Sequence, residues 1–260
     1  MKKSYKNVLV NSTLAFVSAF FITTLFHEFG HFLSYLLYGA NPTLYHNYVS
    51  IPEQQLSLSV KIVSALTGPV FSLIQGTVFA LLLNVYSKNS AGRLLMLWLS
   101  LLGFVNFFGY LMITPLSTGG DTGKVAELLQ IGYIYRVLIA VIGIGILIYL
   151  VKRIGIRFSE FIPVDLDKST KRKYGYHIMF YPIILGSIID TIFAFPLPAW
   201  VSALYTATSA FVIMISFGSI VNAQVPGGTT SDIAEKFYRS LLYLVLVCIG
   251  INRLLTMGLG

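Results

Sequence analysis

The sequence has one cysteine and few charged residues, and both shortages narrow what the chain can be. Among 260 residues only Cys248 is a cysteine, so a disulfide within one chain and a cysteine-based zinc site are excluded. Charged residues make up 11 %, whereas average soluble domains carry about 25 %. The longest polar stretch, residues 152–174, is too short and too poor in apolar residues to build a core. No soluble domain of useful size is therefore predicted.

The sequence is instead rich in long apolar runs. Hydrophobic residues make up 56 % and the mean hydropathy is +0.78, which is typical of polytopic membrane proteins. Several runs are long enough to cross the roughly 30 Å hydrocarbon core of a bilayer. We predict an all-α, multi-pass integral membrane protein with about seven transmembrane helices. The predicted spans are residues 8–38, 62–86, 94–114, 133–151, 176–195, 198–221 and 241–257.

The basic residues that give the net charge of +8 lie mainly in short segments between the apolar runs. This distribution follows the positive-inside rule, so it indicates a lipid bilayer and not nucleic acid as the partner. Seven crossings with a cytoplasmic N-terminus place the main basic segments inside. These segments are Lys88, Arg93, residues 152–173, Lys236 and Arg239. The N-terminus is therefore predicted to be cytoplasmic.

The first apolar run contains the sequence His27-Glu28-Phe29-Gly30-His31. Residues four apart share one face of a helix, so the two imidazoles project the same way and can hold one metal ion. This His-Glu-x-x-His spacing leaves room for a third protein ligand and a water. Glu28 would act as the general base toward that water. Three ionisable side chains at membrane depth are costly unless paired, metallated or hydrated, which favours a metal site over chance surface histidines.

A different pattern follows the first run. Gly39 and Asn41-Pro42 are predicted to end the helix. Residues 43–60 then alternate apolar and polar residues, which favours a short membrane-associated β-hairpin turning at residues 52–55. The edge of such a hairpin would suit an extended substrate, and the alternative is a plain interfacial loop. His46, within this segment, is expected to be a polar loop residue.

Two polar, glycine-rich turns each offer a carboxylate as third metal ligand. The first, residues 115–123, contains Asp121, and the second, residues 222–232, contains Asp232. The predicted topology places the first turn on the same outer side of the bilayer as the histidine pair and the second on the opposite side. Asp121 is therefore favoured and Asp232 remains the alternative. Asp190 is a weaker candidate near the end of a predicted span.

Three elements in this order resemble the site-2 protease group of intramembrane zinc metalloproteases. The matching residues are His27 to His31 with the following Phe32-Leu33 and Gly39, the Gly68-Pro69 pair, and Asp121 after Pro115. The resemblance covers residues 8–132. In two places the chain departs from the family pattern, with Met112 where the family usually has asparagine, and Gly120 and Thr122 flanking the aspartate.

This resemblance implies the composition and chemistry of the site. By it, His27, His31 and Asp121 bind one Zn2+ per chain, and Glu28 activates water. Residues 1–132 would form the metalloprotease core, and residues 133–260 would add transmembrane helices of unassigned role. The polar residues predicted to line a path for water or substrate are Asn106, Ser117, Thr118 and Asp232.

Two classes of function remain open from the sequence. The preferred hypothesis is a zinc-dependent intramembrane metalloendopeptidase that hydrolyses peptide bonds of transmembrane protein substrates. The alternative is a non-catalytic transporter or regulatory membrane protein that uses the same histidines and aspartates for metal or proton binding, because glycine-rich turns in both halves also suit transporters with internal repeats. A homo-oligomer is compatible with either. The substitution Glu28→Gln separates the two, because only a protease needs this carboxylate for turnover.

Overall fold

The structure is a computed structural model that describes residues 2–52, 56–86, 90–163, 166–197, 205–223 and 232–260. It is almost entirely helical. The α-helices are α1 (Lys2–Leu37), α2 (Leu58–Val85), α3 (Ala91–Ile113), α4 (Asp121–Leu128), α5 (Tyr133–Gly155), α6 (Lys168–Gly175), α7 (Tyr181–Phe193), α8 (Phe217–Asn222), α9 (Asp232–Glu235) and α10 (Arg239–Leu255). Two 3₁₀-helices occupy Ile156–Phe161 and Ser209–Ser216, and a π-helical turn occupies Tyr176–Phe180. Two strands complete the described elements, β1 (Thr43–Leu44) and β2 (Val49–Ser50).

Six stretches of helix in the described residues are long and apolar enough to cross a membrane. They are Ser4–Leu37, Leu58–Val85, Ala91–Ile113, Tyr133–Phe161, Lys168–Phe193 and Tyr205–Asn222. The multi-pass helical character predicted from composition is thereby confirmed, and the count of seven spans is not. The seventh predicted span corresponds to α10, whose 17 residues fall short of the roughly 20 that a span ordinarily needs.

Helix α1 is the central element of the fold. It packs against α2, α3, α7 and α10. The indole Nε1 of Trp98 donates a hydrogen bond to Ser12 Oγ at 3.1 Å, and Ser12 donates in turn to the Ile178 carbonyl at 2.5 Å. The Phe16 ring meets Trp98 edge to face at 5.0 Å between centroids, and all these groups are buried. This core fixes the axial position of α1 on which the histidine pair depends.

Helices α2 and α3 approach each other at backbone distance. A Cβ atom added to Gly103 would lie 2.6 Å from the Gly76 nitrogen and 2.7 Å from the Ser72 carbonyl oxygen. Small residues at such a crossing allow close helix packing in lipid. The crossing fixes the height of α2 beside α1, and with it the height of Gly68 and Ser72.

The two strands form an antiparallel hairpin after α1. Thr43 pairs with Ser50 and Leu44 pairs with Val49. On its other side Leu44 exchanges two backbone hydrogen bonds with Leu259, at 2.8 and 2.9 Å. The order across this small sheet is therefore Leu259, β1, β2, and the outer edge of β2 pairs with no other described residue.

The hairpin turns earlier than the sequence pattern predicts. The turn comprises residues 45–48, whereas the predicted turn is at 52–55, of which residues 53–55 lie outside the described residues. A second strand at residues 56–60 is wrong, because α2 begins at Leu58. The Ser57 side chain accepts a hydrogen bond from the Val60 backbone nitrogen at 3.4 Å and caps this helix. The alternation of apolar residues and serine in this segment is typical of a strand, but here a serine caps the start of a helix.

Helix α10 runs alongside α1 in the same direction. At its start the Tyr238 backbone nitrogen donates to Asn11 Oδ1 at 3.0 Å, near the beginning of α1. Beyond its end Leu259 pairs with Leu44, which follows the end of α1. Helix α10 and the residues after it therefore cover most of the length of α1.

Candidate metal centre

Three side chains from two distant parts of the chain meet at the C-terminal third of α1. His27 Nε2 lies 3.0 Å from Asp121 Oδ2, His31 Nε2 lies 3.3 Å from the same oxygen, and the two Nε2 atoms are 3.1 Å apart. Both histidines are buried. The spacing of the motif and the choice of Asp121 over Asp232 predict this grouping of side chains.

The separations between the donor atoms are compatible with one shared metal ion. Tetrahedral zinc with bonds of about 2.0–2.1 Å places its ligand atoms about 3.3 Å apart. The observed separations of 3.0 to 3.3 Å match that spacing. His27, His31 and Asp121 could therefore hold a metal ion. Two imidazoles and one carboxylate suit zinc and several other divalent transition metals.

The hydrogen bonds behind each imidazole fix its tautomer. His31 Nδ1 lies 2.7 Å from the Ser64 carbonyl, which can only accept, so Nδ1 carries the hydrogen. Ser72 Oγ donates to Asn106 Oδ1 at 3.0 Å, so it is left to accept from His27 Nδ1 at 3.2 Å. In the neutral rings both Nε2 lone pairs then point at the Asp121 carboxylate. Three facing acceptors repel one another unless a cation lies between them. In other proteins, hydrogen bonds to the second ring nitrogen, such as those made here by the Ser64 carbonyl and the Ser72 hydroxyl, orient histidines that bind metals.

Helix α2 contacts the two histidines through the backbone of Gly68. A Cβ atom on Gly68 would lie 2.3 Å from His31 Nε2 and 2.8 Å from His27 Nε2. A Cβ atom on Gly30 would lie 2.9 Å from the Thr67 carbonyl oxygen. Glycine at both positions therefore lets α1 and α2 meet closely enough to close one side of the donor cluster.

A short loop and the start of α4 position the third donor. Asp121 is the first residue of α4, where the helix dipole favours a negative charge. The Thr122 hydroxyl donates to the Tyr110 carbonyl at 2.7 Å and contacts the Thr114 hydroxyl at 2.7 Å, which ties α4 to the end of α3. A Cβ atom on Gly123 would lie 1.9 Å from the Ser117 carbonyl oxygen, so only glycine permits this turn.

The charge state of Asp121 follows from its neighbours. Burial raises the pKa of this carboxyl, but when the His31 and His27 rings are protonated their positive charge and hydrogen bonds outweigh burial and hold the pKa well below its ordinary value. Asp121 is therefore ionised over the physiological pH range, as a metal ligand must be.

Glu28 lies beside the donor cluster and faces open space. It is buried, and it makes no hydrogen bond to any described residue. Two neighbouring cavities have volumes of about 180 and 300 Å³. Glu28, His27 and Tyr110 line both. The Tyr110 ring stacks on the His27 ring at 5.0 Å and 9°. Glu28 can therefore meet water and remains free of structural partners.

The predicted water-access residues divide into two groups. Asn106 and Ser117 line the 180 Å³ cavity, and Asn106 also supports His27 through Ser72. Thr118 is exposed on the same loop and is not among the residues that line either site cavity. Asn106 and Ser117 thus lie at this cavity, and Thr118 lies outside the lining of both.

Asp232 lies far from the donor cluster. It pairs with Lys236 Nζ at 3.3 Å and accepts from the Tyr238 hydroxyl at 3.2 Å. The adjacent Ile233 carbonyl accepts from Asn11, at 2.9 Å. Asn11 precedes His27 by sixteen residues on α1, which is about 24 Å of helix. The structure therefore does not bring Asp232 into the site, and the rest of its turn, residues 224–231, lies outside the described residues.

Sequence reasoning missed several residues of the site. Ser72 contacts His27 through its hydroxyl and Ser64 contacts His31 through its carbonyl, and no motif marks either serine. Tyr110 and Asn47 line both cavities, and no motif marks either residue. The signal for Ser72 was its position one helical turn after Gly68 on the same face of α2.

Comparison of the chain with protein families, curated proteins and solved structures gives no significant match.

Proposed function

We propose that this protein is an intramembrane zinc metalloprotease, similar to site-2 proteases, which hydrolyses peptide bonds of membrane-protein substrates in or beside the bilayer. The observation that carries the proposal is the convergence of His27, His31 and Asp121 beside cavities that admit water, with a Glu28 that has no hydrogen-bond partner among the described residues. This constellation lies on a helix long and apolar enough to span the membrane.

In the proposed mechanism each side chain has one role. His27, His31 and Asp121 would hold the zinc ion, which when bound would supply Lewis-acid activation of water and polarisation of the scissile carbonyl. Glu28 would accept a proton from the attacking water and deliver it to the leaving amine. Asp121 adds one negative charge to the two neutral imidazoles, so a bound divalent cation would keep one net positive charge with which to polarise its water.

Water has to reach this depth for hydrolysis. A water molecule needs about 10–15 Å³ in a cavity, so spaces of about 180 and 300 Å³ each admit several. Asn47, Asn106 and Ser117 offer hydrogen-bonding groups along the walls. Irregular backbone at membrane depth is tolerated where it lines such a cavity, as the loop before α4 does.

The hairpin supplies a place for the substrate backbone. Tyr48 and Val49 line the larger cavity together with Asp121 and Glu28. The outer edge of β2 is open among the described residues, and an extended peptide can add to such an edge by main-chain hydrogen bonds. A transmembrane substrate must unwind locally to adopt this conformation. We therefore expect preference for helix-weakening residues near the scissile bond, and cleavage that is unchanged when leucine replaces those residues would contradict this mode.

The first test of the proposal is metal content. The detergent-purified wild type and its His27→Ala, Asp121→Ala, Glu28→Gln and Asp232→Ala variants are analysed for zinc and other transition metals. We expect about one zinc per chain in the wild type, loss in the first two variants and retention in the last two. Absence of metal from the wild type, or retention without His27, would contradict the proposal.

The second test is cleavage. The metal-loaded protein is reconstituted with a fluorogenic transmembrane peptide that carries glycine and proline in its apolar segment. Zinc-dependent cleavage by the wild type, with none by Glu28→Gln, supports a protease. A variant that keeps metal and full function without the carboxylate would favour transport or regulation instead.

A further inference from the structure

Asp190 is a second ionisable group at membrane depth, and the proposed protease mechanism does not use it. It lies on α7, within the apolar stretch Lys168–Phe193. Its side chain is 2 % exposed, and neither carboxylate oxygen has a hydrogen-bond partner among the described residues. Intramembrane carboxylates are costly and are usually functional.

Among the described residues, the surroundings of Asp190 offer one further unpartnered hydroxyl and no counter-charge. Ser187 lies three residues earlier on the same face of α7, and its buried hydroxyl also lacks a partner among the described residues. No ion pair of the described residues includes Asp190. Arg253 bonds the Phe193 and Phe195 carbonyls and not Asp190. The Cys248 thiol on α10 lies within electrostatic range of this carboxylate.

We propose that Asp190 and Ser187 form a binding site for a monovalent cation, either a proton or an alkali-metal ion, inside the membrane domain. A lone carboxylate carries one negative charge, so one positive charge restores neutrality in the apolar interior. Hard cations select oxygen ligands, and divalent ions in proteins ordinarily gather more than one carboxylate. The pairing of one carboxylate with a hydroxyl therefore suits a monovalent ion.

This cation site is connected to the hairpin. The Ala194 backbone nitrogen donates to the Asp190 carbonyl at 2.8 Å, one helical turn further along α7. The Ala194 carbonyl accepts from His46 Nε2 at 2.8 Å and from Asn47 Nδ2 at 3.0 Å. Asn47 lines both site cavities. Occupation of the Asp190 site would thus reach the hairpin through one residue, Ala194.

Thermal unfolding of the purified full chain tests the proposal without any substrate. Wild type and Asp190→Asn are melted in sodium, lithium, potassium or choline chloride, each at mildly acidic and at alkaline pH. Asp232→Asn, which removes an exposed carboxylate, is the matched control. A ligand that binds only the folded state stabilises it, so we expect the response of the wild type and the control to cation and pH to differ from that of Asp190→Asn by about 2 °C or more.

The pattern of response identifies the cation. A rise in melting temperature with sodium or lithium over choline at alkaline pH, weakened by Ser187→Ala, indicates an alkali-metal ion. A fall as the pH rises, the same in all four salts, indicates a proton. Identical responses of wild type and Asp190→Asn to both salt and pH would overturn the proposal and leave a carboxyl solvated by water alone.

Chemical labelling gives a second, independent measurement. Dicyclohexylcarbodiimide reacts with a protonated carboxyl in apolar surroundings. The product is an N-acylurea that contains all atoms of both reactants, so no group leaves. We expect an adduct on the peptide that contains Asp190, suppressed by the bound alkali-metal ion or by high pH, and none on Asp232. Adduct formation at Asp190 that neither salt nor pH changes would contradict a cation site.

Discussion

At the site the Nδ1 atom of each imidazole donates a hydrogen bond to an acceptor, so only Nε2 is free to bind a metal. His31 uses a backbone carbonyl, which no substitution can remove, whereas His27 depends on the Ser72 hydroxyl. Ser72 therefore offers a direct way to test whether orientation of a ligand, separate from its identity, sets metal affinity.

We predict that Ser72→Ala weakens metal binding by about 10–100-fold, because His27 loses the acceptor that fixes its tautomer and ring angle. Isothermal titration of the metal-free protein with zinc measures the change. Ser100→Ala is the matched control, since Ser100 is an equally buried serine that bonds the Gly76 carbonyl in the packing of α2 against α3. Equal affinities in the two variants would contradict this role of Ser72.

Glu28 has no structural partner in the described part of the chain, which makes its role testable with little risk to folding. We predict that Glu28→Gln keeps full metal content and lowers kcat by about 10²–10⁴-fold, because the amide cannot accept the proton of water. Cleavage of the transmembrane peptide under single-turnover conditions gives the rate. A rate within a few-fold of wild type would remove Glu28 from the chemistry.

At the scale of secondary-structure elements, the site depends on how closely α2 and the hairpin approach α1. The Gly68 backbone fills the space beside both imidazoles, and the hairpin forms a wall of the larger cavity. Each element therefore has a residue whose change should alter the site without removing a ligand.

We predict that Gly68→Ala abolishes or strongly weakens metal binding. The new Cβ atom would overlap His31 Nε2, and relieving such overpacking costs about 1–3 kcal/mol or displaces the ring. Gly145→Ala on α5 is the control, because a Cβ atom there meets nothing within 4 Å. The control should bind metal normally and unfold at the same or a slightly higher temperature. Normal metal content in Gly68→Ala would show that the donors do not depend on this contact.

The hairpin should weaken in acid. Burial lowers the pKa of His46 below its ordinary value of 6.5, so the folded hairpin favours the neutral ring. Below that pH the unfolded segment binds more protons than the folded one, and the hairpin loses stability as the pH falls. The variant His46→Gln keeps a donor for the Ala194 carbonyl and does not titrate.

Hydrogen exchange over residues 43–50 checks this expectation. At each pH the wild type is compared with His46→Gln, which cancels the intrinsic pH dependence of exchange. We expect wild type to lose protection relative to the variant as the medium becomes acidic. The substitution His177→Gln, on the π-helical turn, should leave that difference unchanged. Parallel curves for wild type and His46→Gln would exclude the histidine as the cause.

At the scale of the whole molecule, α1 is the axis around which both halves of the chain assemble. Residues 1–132 supply the donors, while α7 and α10 pack on the other faces of α1. Because α10 follows α1 from Asn11 to the level of Leu44, we expect it to complete a seventh crossing despite its 17 residues.

A seventh crossing would place Lys6 and Gly260 on opposite sides of the membrane. In a Cys248→Ala background, Lys6→Cys and Gly260→Cys are treated in sealed cells with a membrane-impermeant maleimide. We expect only one of the two to react before permeabilisation and both to react afterwards. Labelling of both in sealed cells would place them on the same side and exclude the seventh crossing.

Much of this architecture is readable from the sequence, and the limits have physical causes. Apolar length predicts the spans, and the spacing of His27 and His31 together with the first glycine-rich turn predicts the donor cluster. Ser72, Tyr110 and Asn47 could not be predicted, because their roles arise from contacts between elements far apart in the chain. The start of α2 was missed because a capping serine outweighs a strand-like alternation. Orientation in the bilayer remains a prediction from charge alone.

The separation of the three donors along the chain also determines when the site can form during biosynthesis. His27 and Asp121 are 94 residues apart, with α2 and α3 between them. A ribosome-bound chain that has inserted only α1 therefore presents two histidines and no third donor. The complete cluster exists only after α3 has entered the membrane and α4 has folded back onto it. Metal acquisition would thus mark successful assembly of the first half of the protein, and a chain stalled before Asp121 would remain inert toward neighbouring membrane proteins.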